Sequence, residues 1–202
     1  MDSFVVLAAG KSTRLNGYSK LLVQAAGTTV LEWHMRALKG ALAGVVVRPG
    51  ESGRVSLSGW RGPIVETEDT RGPARALERY LVDTGVNGPI TVIYGDTVLP
   101  ELPNHPGSWV GVAQAPSRRV WDYHNGVRWT RGATVGEVCI GLYHFDDAQR
   151  LHDVIRSLRS SEMIDVLEAY GEMKPLQVDG WQDTGDFQAL GNFKGYADTQ
   201  NG

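Results

Sequence analysis

The sequence has one cysteine, Cys139, so no internal disulfide can form. It sits in the apolar run Val138-Cys139-Ile140, the setting of a buried core thiol rather than of an exposed nucleophile. A basic block is also lacking. Twenty Lys and Arg against 23 Asp and Glu leave a net charge of −3, whereas binding nucleic acid by phosphate neutralisation needs a face rich in Lys and Arg. The nearest candidate, Arg118-Arg119, is short, is soon followed by Asp122 and reads as a solvated loop, so no nucleic-acid partner is expected. No apolar run is long enough to span a bilayer, which argues against a membrane partner. Met1-Asp2-Ser3 enters the first apolar stretch without a basic leader, so the expectation is an unprocessed cytoplasmic protein. There is no internal repeat and no low-complexity segment. His34, His105, His124, His144 and His152 show no metal-ligand spacing and read as structural or exposed.

What is present suits one globular domain over residues 1–202. Hydrophobic residues make up 42% and charged residues 21%, enough for a sizeable core under a soluble surface. Phe4 to Ala9 is a continuous apolar run, as expected of a strand buried on both faces. Thr29 and Glu32 have capping-box spacing ahead of the apolar stripe Val30, Trp33, Ala37, Leu38, which predicts a helix. Val45 to Val47, Ile64-Val65 and Ile90 to Tyr94 read as further strands, and Pro73 to Tyr80 as a helix with proline in its first turn. This alternation predicts an open α/β sheet flanked by helices. In the second half, Trp109 to Ala113 and Val120 to Trp129 read as extended, with Asn125-Gly126 favouring a tight hairpin. Gly136 to Phe145 follows as a strand. Helices are expected around Leu151 to Leu158 and over Met163 to Tyr170, and a last strand at Leu176 to Val178, with Lys174-Pro175 as its start.

Ligands of open parallel sheets bind outside the carboxyl ends of the strands. Two candidate sites fall there: the loop Gly10 to Ser19 after the first strand, and Asp96 after Ile90 to Tyr94. The segment Leu7-Ala8-Ala9-Gly10-Lys11-Ser12-Thr13-Arg14-Leu15, with Lys20 beyond it, is a small-residue loop whose backbone N–H groups can face an anion. Arg14 and Lys20 add positive charge, and together these parts suit a triphosphate. Gly10-Lys11-Ser12 imitates the end of a P-loop, but Val5 stands where that motif needs its first glycine. Farther on, Trp121, Asp122, Tyr123 and Trp129 form an aromatic-acidic cluster. Hairpin packing is one reading; binding of a sugar ring or a quaternary ammonium is the other. Gly141 interrupts a strand, which often marks close approach of a ligand.

In combination these segments resemble the sugar-1-phosphate nucleotidylyltransferases and the related cytidylyl- and molybdopterin-nucleotidyl transferases. Leu7 to Leu15 with Lys20 is similar to their signature loop. Thr70-Arg71-Gly72-Pro73 through Leu77, Tyr94-Gly95-Asp96, Ile140-Gly141-Leu142-Tyr143-His144-Phe145 and Trp181-Gln182-Asp183-Thr184-Gly185-Asp186 follow in the family's order. The resemblance implies a Rossmann-like, GT-A-type fold with a mixed, mostly parallel sheet. Residues 1–100 would hold the nucleotide and 101–202 the acceptor. It implies Mg²⁺ on Asp96 and Asp183, phosphate contacts from Arg14 and Lys20, and nucleotide binding by Leu7, Ala8, Ala9, Gly10, Lys11, Ser12, Thr13, Gly72 and Pro73. The partners would be a nucleoside triphosphate and a small phosphorylated acceptor, a sugar 1-phosphate first and phosphocholine second. The acceptor is expected at Trp121, Tyr123, Trp129, Arg131 and Gly141, and a homodimer is one assembly the resemblance allows. The sequence departs from the pattern at Ser12, in place of a glycine, and at Ser19, in place of the proline before Lys20. It departs again at Asp186, in place of threonine, and at Thr130-Arg131-Gly132, where longer members carry a lysine. A nucleotide-binding module without turnover is the non-enzyme alternative.

Overall fold

The computed structural model describes residues 3–25, 27–38, 43–68, 72–115 and 120–200, with the backbone alone over 194–200. Arg118-Arg119 and Thr70-Arg71 lie outside the described residues. In chain order the first half runs β1 (Ser3–Leu7), a single 3-10 turn (Thr13–Leu15), β2 (Gln24–Ala25), β3 (Thr28–Thr29), α1 (Val30–Ala37), β4 (Ala43–Val47), α2 (Ser52–Leu57), β5 (Ile64–Glu66), α3 (Pro73–Thr84), β6 (Ile90–Tyr94) and β7 (Thr97–Val98). The second half runs β8 (Trp109–Gln114), β9 (Trp121–His124), β10 (Trp129–Ala133), β11 (Glu137–Phe145), α4 (Ala148–Ser157), α5 (Met163–Tyr170), β12 (Lys174–Gln177), β13 (Gln182–Asp183) and α6 (Phe187–Gln200).

Seven strands form one sheet in the order β12-β8-β11-β6-β1-β4-β5. All neighbours are parallel except β11, which runs against both β6 and β8. This is the mixed, mostly parallel sheet the sequence suggested. β1 sits centrally and is buried on both faces, which its apolar run requires. Val5 and Leu7 face a core with α3, α4 and α5. Val6 and Ala8 face the opposite core, with Leu31, Leu38 and Val55.

Local signals account for several elements. Thr29 and Glu32 close a full capping box at the start of α1: the Thr29 hydroxyl accepts the Glu32 N–H, and the Glu32 carboxylate accepts the Thr29 N–H. Pro73 opens α3 in its first turn. Asn125 flanks the β9–β10 turn rather than sitting in its centre; its side-chain oxygen accepts the Val127 and Arg128 N–H groups. Gly126, at φ +91°, takes the first central position, which glycine favours in two-residue hairpins.

Two short ribbons matter for the site. β7 pairs antiparallel with β13, setting Asp183 opposite Thr97. β9 pairs with β10, and this ribbon is held against α5 by the Glu168 carboxylate, which accepts the Trp129 N–H. α6 docks through Phe193, whose ring meets Trp33 edge-on at 5.2 Å.

Candidate active site

β1 and β6 are parallel neighbours whose last residues, Leu7 and Tyr94, are register partners. The loops that leave them therefore emerge side by side. After Leu7 the chain passes Ala8 and Ala9, both buried, and turns outward at Gly10. Ser12 adopts the left-handed conformation (φ 51°, ψ 39°), is itself buried, and accepts the Leu15 and Gly17 N–H groups at its carbonyl. A serine thus makes the turn that the resemblance assigns to glycine. The loop closes in a 3-10 turn pinned by buried Leu15, with Arg14 exposed on it; no α-helix starts there, as a P-loop would need. Lys11 and Thr13 are exposed.

Lys20 does not need a preceding proline to be placed. Ser19 and Leu21 on either side are buried. The Ser19 carbonyl accepts the Val23 N–H, and the Leu21 carbonyl accepts the Leu31 N–H. From this turn the Lys20 ammonium reaches Asp96 Oδ2 at 2.7 Å. Asp96 is buried just past the end of β6. Its carbonyl accepts both the Thr184 N–H (2.9 Å) and the Thr184 hydroxyl (3.2 Å). With the Asp183–Thr97 register this brings Gly95-Asp96 and Asp183-Thr184 to one point, although they lie in opposite halves of the chain. Asp183 is buried, and its Oδ1 accepts the Gly185 N–H at 3.0 Å. Beneath this point His34 of α1 lies in hydrogen-bond reach of the Gly95 carbonyl (3.3 Å). Burial holds its pKa down to about 4, only partly opposed by the Gly95 carbonyl and the Asp96 charge.

Two adjoining cavities open here. The smaller, about 160 Å³, is bounded by Leu7, Ala9, Gly10, Gly72, Pro73 and Ala76. The larger, about 470 Å³, takes in Arg14, Asp96, Thr97, Asp183, Trp121, Asp122, Arg131, Cys139, Gly141, Tyr143 and Trp181. Lys20 and Tyr94 belong to both. The small cavity is below the roughly 300 Å³ typical of whole-ligand pockets, so it suits one flat portion of a ligand whose remainder runs past Lys20 into the larger space.

Most of the expected site residues meet in these two spaces. Ala8, Lys11, Ser12 and Thr13 shape the loop without lining either cavity, and Tyr123 and Trp129 line neither. Trp129 is buried in the core on the α5 side, with the His124 ring 4.8 Å away. For Trp129 the structure favours hairpin packing over ligand contact. Gly72 and Gly141 line the cavities, but their lack of a side chain has other causes. A Cβ on Gly72 would lie 2.4 Å from the Ser161 carbonyl oxygen. A Cβ on Gly141, at φ +77° in a bulge of β11, would lie 2.7 Å from the Tyr94 ring. Protein packing, rather than an approaching ligand, excludes side chains there.

Tyr94, Thr97, Tyr143 and Trp181 are among the lining residues that were not singled out from sequence. Three of them stand inside motifs already quoted, one or two residues from a chosen position, which was the available signal. Trp181 meets Trp121 edge-on at 6.0 Å. Tyr94 meets Tyr143 at 5.5 Å, and burial pushes both phenols up, so both are neutral donors. Asp122, half-buried beside Trp121, has its pKa raised by burial and then by Glu162 and Asp165, with Arg131 (3.8 Å) partly offsetting them. Cys139 is buried with its thiol pushed up, as expected of a core cysteine.

The profile of the MobA-like NTP transferase domain matches residues 4–160. The chain belongs to that family. It is a nucleotidyltransferase, and its sheet is the Rossmann-like sheet of such enzymes. A protein from Bacillus anthracis described as a glucose-1-phosphate thymidylyltransferase superposes with TM-score 0.78 at 18% identity, over 98% of this chain and 95% of its own. The inositol-1-phosphate CTP transferase from T. maritima gives 0.76 at 17%, over 100% and 97%. The CTP:phosphocholine cytidylyltransferase from Streptococcus pneumoniae gives 0.74 at 16%, over 97% and 99%. Sequence comparison with curated proteins finds no match. The family match ends before β13 and so does not cover Asp183, which the β7–β13 pairing sets opposite Thr97.

Proposed function

We propose that this nucleotidyltransferase moves a nucleoside monophosphate from a nucleoside triphosphate onto the phosphate of a sugar 1-phosphate, releasing pyrophosphate. The observation that carries the proposal is the convergence of Asp96 and Asp183 in one cavity with Arg14 and Lys20. Two carboxylates beside two cations suit a metal–triphosphate complex. The base belongs against Gly72, Pro73 and Ala76, within the first half of the chain, and the acceptor against the second-half wall.

The donor set fits Mg²⁺, which is commonly held by one or two carboxylates with phosphate oxygens completing its shell. No group of three or more His, Cys, Asp or Glu that could cage an ion occurs among the described residues, so substrate phosphates and water would complete the shell. When bound at Asp96 and Asp183, the ion supplies neutralisation of phosphate charge. Arg14 and Lys20 hold phosphate oxygens and offset the charge that grows as an acceptor oxygen bonds to the α-phosphorus and the bond to pyrophosphate breaks. The acceptor phosphate is already ionised, so no general base is required. The walls orient the acceptor opposite the leaving group, and positioning contributes the rest.

A second acceptor class has its own support. Trp121 and Trp181 meet at right angles, Asp122 adjoins them, and Glu162 and Asp165 deepen the negative potential. Aromatic faces with a carboxylate suit a quaternary ammonium, as in phosphocholine. The test is pyrophosphate release with each of four triphosphates against sugar 1-phosphates and phosphocholine. Turnover with a sugar 1-phosphate supports the first reading, and turnover with phosphocholine alone replaces it. Tight triphosphate binding without turnover on any acceptor would favour a non-catalytic module. Trp121→Ala should raise the acceptor KM far more than the triphosphate KM, while Tyr123→Ala should move neither.

A further inference from the structure

The Lys20 ammonium stands 2.7 Å from Asp96 Oδ2, where a cation held by that carboxylate belongs. The two side chains are only 18% and 9% exposed, so water screens the pair weakly and the contact is stronger than a surface ion pair. The backbone beneath Lys20 is pinned by the Ser19–Val23 and Leu21–Leu31 hydrogen bonds. Its four-carbon stem is the movable part, and it faces both cavities. Asp183 belongs to the same cavity but is held by the Gly185 N–H on its own turn.

We propose that Lys20 is a place-holder for the divalent cation. In the nucleotide-free protein its ammonium neutralises Asp96. It leaves that carboxylate when the phosphates of an incoming triphosphate offer it another anion, and the cation carried by those phosphates takes its place. The proposal rests on the reading of Asp96 and Asp183 as the metal carboxylates. Its physical basis is the charge balance at a single site: an ammonium and a divalent ion on one carboxylate repel, whereas a triphosphate brings enough negative charge for both. Between turnovers the pair also offsets the charge that Asp96 carries in its buried position. The consequence is reciprocal linkage: the ion binds weakly alone and tightly with nucleotide.

The test uses Mn²⁺ as the probe, followed by electron paramagnetic resonance on the full chain, with and without a non-hydrolysable triphosphate analogue. In wild type, the analogue should tighten Mn²⁺ binding strongly. Lys20→Met should bind Mn²⁺ without nucleotide at least about tenfold more tightly than wild type, the lower end expected for removing a charge-assisted competitor, and should gain less from the analogue. A second readout separates displacement from mere loss of positive charge. Acylation of the Lys20 amine in wild type, followed by peptide mass, should speed up when Mn²⁺ is added at saturating concentration without nucleotide. Unchanged Mn²⁺ affinity in Lys20→Met overturns the proposal, and so does unchanged Lys20 acylation. If Asp96→Asn binds Mn²⁺ with the analogue as tightly as wild type, the metal-carboxylate reading itself fails and the place-holder fails with it.

Discussion

Gly141→Ala separates the two explanations of a glycine at the cavity wall. Gly141 has φ +77°, and a Cβ at this position would lie 2.7 Å from Tyr94 Cδ2 and 2.8 Å from its Cγ. Two costs add. Placing a non-glycine residue in the left-handed region costs about 1–2 kcal/mol. Overpacking against a packed ring costs about 1–3 kcal/mol, because Tyr94 already meets Tyr143 edge-on and cannot simply swing away. The total is roughly 2–5 kcal/mol, and at about 2–4 °C per kcal/mol for a chain of this size it lowers Tm by roughly 4–20 °C. Differential scanning calorimetry of wild type, Gly141→Ala, Tyr94→Ala and the double variant forms the cycle, since alanine at 94 removes both Cδ2 and Cγ. The coupling should recover about 1–3 kcal/mol in the double variant, leaving the backbone cost behind. Additive losses, or an alanine variant as stable as wild type, would refute the assignment to Tyr94. A variant that keeps wild-type stability but loses acceptor binding would restore the view that a ligand needs the space.

Arg14→Ala should slow nucleotidyl transfer by roughly 2–4 kcal/mol of transition-state stabilisation, read from kcat/KM, without lowering Tm, since the side chain is exposed; an unchanged rate removes Arg14 from the phosphate site. Asp183→Asn should cut turnover by about two orders of magnitude or more while circular dichroism stays native, and retained activity would strike it from the metal pair. His34 is buried with its pKa held down to about 4, below its unfolded value. The unfolded chain therefore binds the proton first, so stability is full above about pH 6.5 and falls as pH drops toward 4, by on the order of 3 kcal/mol at most. Urea melts across that window should show the loss in wild type and a smaller slope in His34→Gln; identical slopes would refute it.

The elements legible in the sequence were those whose signals are local. The Thr29–Glu32 box set the start of α1, Ile90 to Tyr94 and Met163 to Tyr170 were read at their observed bounds, and the apolar run at Phe4 announced a doubly buried strand. Pattern could not announce α2, where Val55 alone is buried, or the two-residue strands β7 and β13, which are too short to show a period. The same limit applied within the candidate site. Motif order singled out Arg14, Lys20, Asp96 and Asp183, but no spacing says that a lysine would sit on one of the carboxylates.

By itself, then, the sequence determined the alternation of strands and helices, the loop at the end of β1 and the candidate charged residues, because each depends on neighbours a few positions away. Tertiary structure decided the rest. The β7–β13 register brought the two aspartates into one cavity. α5 drew Trp129 into the core by taking its N–H, while Trp121 stayed at the wall beside Trp181. Ser161 and Tyr94, far along the chain from Gly72 and Gly141, supplied the atoms that exclude a side chain at each. Which residues face a ligand and which face one another is settled only when distant segments close-pack, since each side chain's neighbours are then chosen by the whole fold.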